Sequence, residues 1–184
     1  MKGTLVHPQK KRLAAIVLLG GVAVLVSYAF IATLDSATRA GLWGDVPQAL
    51  LPGYAVSMLL GAAGFFAFTY FLFFRVDPDQ ARIAGRFGYG LFQGLYLLIL
   101  IPSALWLPLT AAMVQQPSSL LWLSIRLVLA LVGLAGIALL LALLTLRPRR
   151  PGAAYWLAVA GAVAFCVQTA VLDLFVWTAY FPAY

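Results

Sequence analysis

The chain has no glutamate, one histidine (His7) and one cysteine (Cys166) among 184 residues. A lone cysteine excludes a disulfide framework, a CxxC redox pair and a thiolate zinc site. The lone histidine lies outside every apolar run, which leaves none to ligate a haem within one. The patterns of catalysis are missing too. There is no Ser-His-Asp set, no HExxH, no P-loop and no paired carboxylates in one apolar segment. Charge is scarce, at 9% of residues, against 64% hydrophobic residues and a mean hydropathy of +1.01. Such a chain is not a soluble globular domain, because apolar runs of 18 or more residues mark bilayer-spanning helices.

Five such runs are present, and they predict helices over about 13–34, 53–74, 87–114, 119–146 and 152–180. The expected fold is therefore an all-α, five-helix transmembrane bundle forming a single domain. The basic lead-in before the first run resembles the n-region of a signal peptide. About 22 apolar residues is long for an h-region, however, and the segment reads as a retained first helix. The formal net charge of +7 does not point to nucleic acid, because the basic residues cluster in short connections between spans.

With the amino terminus inside, one face collects Lys2, Lys10, Lys11, Arg12, Arg75, Arg82, Arg86, Arg147, Arg149 and Arg150; the other has only Arg39. This asymmetry predicts a cytoplasmic amino terminus and an external carboxyl terminus. The expected location is a bacterial-type inner membrane.

Several local features refine the picture. Trp43-Gly-Asp-Val-Pro47 suggests a structured turn in the first loop. Gly61-Ala-Ala-Gly64 and Gly90-Leu-Phe-Gln-Gly94 are small-residue spacings that let helices approach closely. The aromatic run Phe65–Phe74 suits a lipid-facing surface, and Tyr89, Tyr96, Trp122, Trp156 and Tyr180 suit interfacial belts. Pro102 and Pro108 each remove an intrahelical hydrogen bond, so a kink is expected in the third helix.

The chemistry concentrates in the last span, which carries Gln168 and Asp173. An ionisable side chain inside a bilayer costs roughly 2.5–3.5 kcal/mol on insertion scales, so a partner is expected. Arg126, on the fourth helix, is the only other charge well inside an apolar run. Each lies roughly 10 Å in from the outer end of its helix. A pair across adjacent antiparallel helices would keep both charged, either serving a ligand or only fixing the register of the two helices; the alternative is that Arg126 snorkels to the interface on its long stem. Trp106 falls at a similar depth, and α-helical spacing puts Thr169 and Trp177 on the face of Asp173. The expected site is an outer-leaflet cavity between helices three, four and five, lined by Arg126, Asp173, Trp106, Trp177 and Thr169, with Gln93 as a weaker candidate. No cofactor is indicated.

Leu105-Trp-Leu-Pro-Leu-Thr110 and Val171-Leu-Asp-Leu-Phe-Val-Trp177 carry a family likeness. Together with five helices in a short chain, they resemble the Trp-x-Pro and Leu-Asn-x-x-x-Trp elements of the tryptophan-rich sensory protein/translocator protein family. Gln93 and Tyr96 resemble polar and tyrosine positions of that family's third helix, in a different order. The likeness covers the last half of the chain. Asp173 stands where the family has asparagine, and the first loop lacks the family's lysine and consecutive prolines. The resemblance implies binding of a tetrapyrrole or sterol-like lipid, with Trp106 and Asp173 in the pocket.

Two function classes follow: a non-enzymatic membrane protein that binds or moves a small amphipathic ligand, or an accessory subunit packed against a second copy or a larger membrane complex. A membrane-embedded enzyme acting on lipid is a weaker third reading.

Overall fold

A computed structural model describes residues 7–149 and 151–182; Lys2 and Arg150 of the charge asymmetry lie outside them. Five helices are long and apolar enough to cross a membrane: Pro8–Thr33, Gln48–Phe74, Gly90–Gln115, Ser119–Thr145 and Ala153–Tyr180. The chain is thus an all-α, integral multi-pass membrane protein.

The first span comprises α1 (Pro8–Phe30) and a 3-10 turn over Ile31–Thr33. It starts five residues before the expected point. Pro8 supplies a preset φ at the first helical position, and the His7 ring accepts from the Gln9 amide, so the basic lead-in itself winds into helix. A short α2 (Ser36–Gly41) follows, capped by Asp35, which accepts from the Thr38 amide at 2.9 Å and the Thr38 hydroxyl at 2.6 Å. These hydrogen bonds hold the Asp35 carboxyl below the usual carboxylate range.

The second span is a 3-10 turn (Gln48–Leu50) leading into α3 (Leu51–Phe74), and the third is α4 (Gly90–Gln115), which continues through Pro102 and Pro108. The fourth is α5 (Ser119–Thr145), started by the Ser118 hydroxyl accepting from the Leu121 amide. Its buried residues Ile125, Val128, Leu129, Val132, Gly133 and Gly136 recur at three- and four-residue intervals, the signature of one inward face. The fifth span changes winding. It runs as α6 (Ala153–Cys166), then as an eleven-residue π-helix (Val167–Trp177), then as the short α7 (Thr178–Tyr180).

In the bundle α1 packs on α4, α4 on α5, α5 on α6 and the π-helix, and α6 on α3. The α3–α6 crossing is the tightest. A Cβ built on Gly64 would lie 2.2 Å from the Gly161 carbonyl oxygen, and one on Gly161 would lie 2.7 Å from the Gly64 Cα. The second small-residue spacing behaves differently: at Gly90 and Gly94 a Cβ would meet nothing within 4 Å.

The aromatic run of α3 is not simply lipid-facing. Phe68 and Phe71 are buried, while Phe66 and Phe74 are exposed. Tyr89 and Tyr96 also lie in the core rather than in a belt. Each has a hydroxyl partner, the Leu72 carbonyl at 3.1 Å and the Thr69 hydroxyl at 2.7 Å, so burial leaves neither hydroxyl unpaired. At the basic end, β1 (Arg82–Ile83) and β2 (Leu146–Arg147) form a two-residue antiparallel ladder. That ladder ties the α3–α4 loop to the α5–α6 connection.

Candidate functional site

The polar centre of the fifth span is a side-chain pair. Gln168 Nε2 donates to Asp173 Oδ1 at 2.8 Å. The π winding makes this contact. In an α-helix, residues five apart point about 140° from one another, whereas i→i+5 hydrogen bonding stacks them. Gln168 is buried against α3, where a Cβ on Gly61 would come within 3.4 Å of its Cβ. Tyr54 ties α3 to the π-helix directly, its hydroxyl donating to the Leu172 carbonyl at 3.0 Å.

Beside this pair an apolar cavity of about 350 Å³ opens between the start of α3 and the π-helix, lined by Leu50, Gly53, Tyr54, Leu172 and Val176. Its volume falls within the range of small-molecule sites. Gly53 leaves the cavity mouth open, since a Cβ there would meet nothing within 4 Å.

The space expected to be a cavity between α4, α5 and the fifth span is filled instead. Trp106 meets Trp177 edge-on at 5.8 Å, Trp122 stacks on Phe181 at 5.6 Å, and Trp177 lies 4.5 Å from the Phe181 ring. The first loop closes over this aromatic group. Trp177 Nε1 donates to the Leu42 carbonyl at 3.1 Å, and the Asp45 amide donates to the Tyr180 carbonyl at 2.9 Å. Gly44, at φ +56°, brings that loop to within contact of Phe181. The turn predicted around Trp43–Pro47 is therefore structured, and its role is to seal the end of the fifth span.

The six sequence candidates are distributed as follows. Trp106 and Trp177 come together. Asp173 meets Gln168, not Arg126. Arg126 is exposed on the outer side of α5, one residue past buried Ile125 and off the inward stripe, and the only ion pair among the described residues is His7–Asp79. The expected Arg126–Asp173 bridge is not formed. Thr169 is buried against Gly133 and Gly136 of α5 and donates to the Phe165 carbonyl at 2.8 Å. Gln93 lies at the opposite end of the bundle, where Nε2 donates to the Gln9 carbonyl at 3.1 Å. Tyr54, Trp122 and Phe181 were not singled out for the site. The five-residue spacing of Gln168 and Asp173 was the available signal for the π-helix, since it separates two polar groups on any α-helical wheel.

Among the described residues, Gln9 Oε1, Gln168 Oε1 and Trp106 Nε1 are buried without a hydrogen-bond partner. Gln168 Oε1 is an acceptor and Trp106 Nε1 a donor. Compared with protein-family models, with curated proteins and with solved structures, the chain has no match.

Proposed function

We propose that this membrane protein binds a small amphipathic, lipid-like molecule in the cleft between α3 and the π-helix. Its apolar body would rest on Tyr54, Leu172 and Val176, and its polar end would reach the Gln168–Asp173 pair. The observation that carries this reading is a carboxylate–amide pair held by an eleven-residue π-helix beside an apolar cavity of about 350 Å³. Long π-helical stretches are rare, and π turns are found disproportionately at functional sites. The resemblance to the tryptophan-rich sensory protein/translocator protein family adds tetrapyrrole- or sterol-like molecules as the ligand class. Asp173 in place of asparagine gives that ligand a carboxyl group rather than an amide as its neighbour.

Native mass spectrometry of protein gently extracted from its own membrane tests the reading. Wild type is expected to carry a discrete small-molecule mass, lost from Gly53→Leu, which fills the cavity, and weakened in Asp173→Asn. A ligand mass retained at equal occupancy in both variants, or a wild-type protein that arrives bare, refutes it.

A second reading, a subunit of a larger assembly, draws on Gly90 and Gly94, whose outward faces leave α4 open to a partner helix. Co-purification of a second polypeptide, lost on Gly94→Leu, would favour it.

A further inference from the structure

At the basic end of the bundle lies a second and larger cavity, of about 580 Å³. Its walls are the end of α3, the loop after it, β2 and the first turn of α6. The lining includes Phe71, which is buried, and Phe74, which is 71% exposed. Two lining residues, Arg75 and Arg147, are basic, and Arg147 faces Arg82 across the β1–β2 ladder.

Like charges directly opposite on a two-stranded ladder repel, and little nearby answers them. The only ion pair among the described residues engages Asp79 with His7 at 3.2 Å. Asp77 is the one acidic lining residue, and its carboxylate accepts from the Asp79 amide at 3.1 Å. Arg147 has a long, 3.4 Å contact to the neighbouring Leu146 carbonyl, and Arg82 donates to the Asp79 and Ala81 carbonyls. The arginines therefore converge with backbone oxygens as partners and excess positive charge remaining.

We propose that this cavity is a binding site for an anionic phospholipid of the leaflet on the basic side. Its phosphate would sit between Arg75 and Arg147, and an acyl chain would leave along Phe74. Basic pockets between transmembrane helices on the cytoplasmic side are suited to such headgroups. The basic face is the cytoplasmic one by the positive-inside rule. A free phosphate shares the headgroup chemistry but has no use for the aromatic exit, which favours the lipid.

The test uses the full chain, delipidated and reconstituted in nanodiscs of equal parts phosphatidylcholine and phosphatidylglycerol, with retained lipid read by native mass spectrometry. Wild type is expected to keep phosphatidylglycerol over phosphatidylcholine. Arg75→Gln and Arg147→Gln should each lower that preference about fivefold, the equivalent of about 1 kcal/mol per basic residue near an anionic surface. Ala153→Trp, which fills the cavity with both arginines intact, should lower it as well, so the result does not depend on the arginine variants folding. Arg86→Gln, on the same face but outside the lining, should leave it unchanged. Equal retention of the two lipids by wild type, or an equal loss in Arg86→Gln, overturns the site. Displacement of phosphatidylglycerol by millimolar inorganic phosphate overturns the lipid as its occupant.

Discussion

Replacing Gly64 with alanine probes the contact on which the bundle closes. The new Cβ would lie 2.2 Å from the Gly161 carbonyl oxygen and 2.8 Å from its Cα. Ordinary contact lies near 3.5 Å, so α3 and α6 must separate by roughly 1 Å. The obstructing atoms are backbone, so no side-chain rotation relieves them. A gap of that size forfeits about a quarter to a half of the dispersion energy along the crossing. Overpacking of this kind costs about 1–3 kcal/mol, and the absence of relief places Gly64→Ala near the upper end, at ~2–3 kcal/mol. Gly94→Ala supplies the control. Its Cβ meets nothing within 4 Å, so the better helix former should be neutral or gain up to about 1 kcal/mol. Purified variants titrated from mild detergent into SDS, with tryptophan fluorescence reporting the Trp106–Trp122–Trp177 group, would give both values. Gly161→Ala should behave as Gly64→Ala does. If Gly64→Ala and Gly94→Ala unfold at the same SDS fraction, the steric reasoning fails.

Three further outcomes follow from individual contacts. Trp177→Phe keeps the ring packing but leaves the Leu42 carbonyl without its donor, and should cost about 1–2 kcal/mol in the same titration; no change would mean that the first loop does not seal the span. Arg126→Leu removes an exposed cation with no carboxylate partner, so stability in lipid should stay within about 0.5 kcal/mol of wild type, and a collapse would show that Arg126 has a partner after all. Asp35 is held below its ordinary value of 3.8 by hydrogen bonds from Thr38. Its contribution to the α2 cap is therefore present above about pH 4 and lost as pH falls through the lowered folded value. Hydrogen exchange of the α2 amides should rise at lower pH in wild type than in Thr38→Val, and superimposable pH profiles would contradict this.

The spans were legible because a helix in lipid must satisfy its backbone internally, so apolar length alone marks it. All five are where hydropathy puts them, with ends displaced by local features such as the Pro8 start and the 3-10 turn before Leu51. The site was legible only in part. Asp173 and Trp106 stand out by composition and depth, but the contacts of Asp173 depend on winding, which hydropathy does not report. Assuming α geometry placed Gln168 away from Asp173; the π-helix brings the two together. Equal depth along two helices brought Arg126 and Asp173 together on paper. Depth says nothing of azimuth, and Arg126 sits one residue past a buried isoleucine, on the lipid side. The phenylalanines of α3 divide between core and surface by the helix face they occupy, and buried Tyr96 finds the Thr69 hydroxyl, a partner that only the packed bundle supplies.

The eleven-residue π-helix also makes the fifth span unusually sensitive to chain length. Each i→i+5 turn holds more residues than an α turn, so this stretch stores surplus chain. A single deletion between Asp173 and Trp177 would take up that surplus and let α hydrogen bonds close across the gap, and Gln168 and Asp173 would then stand about 140° apart. Homologous chains are thus expected to vary in side chain along this stretch far more readily than in the number of residues it contains.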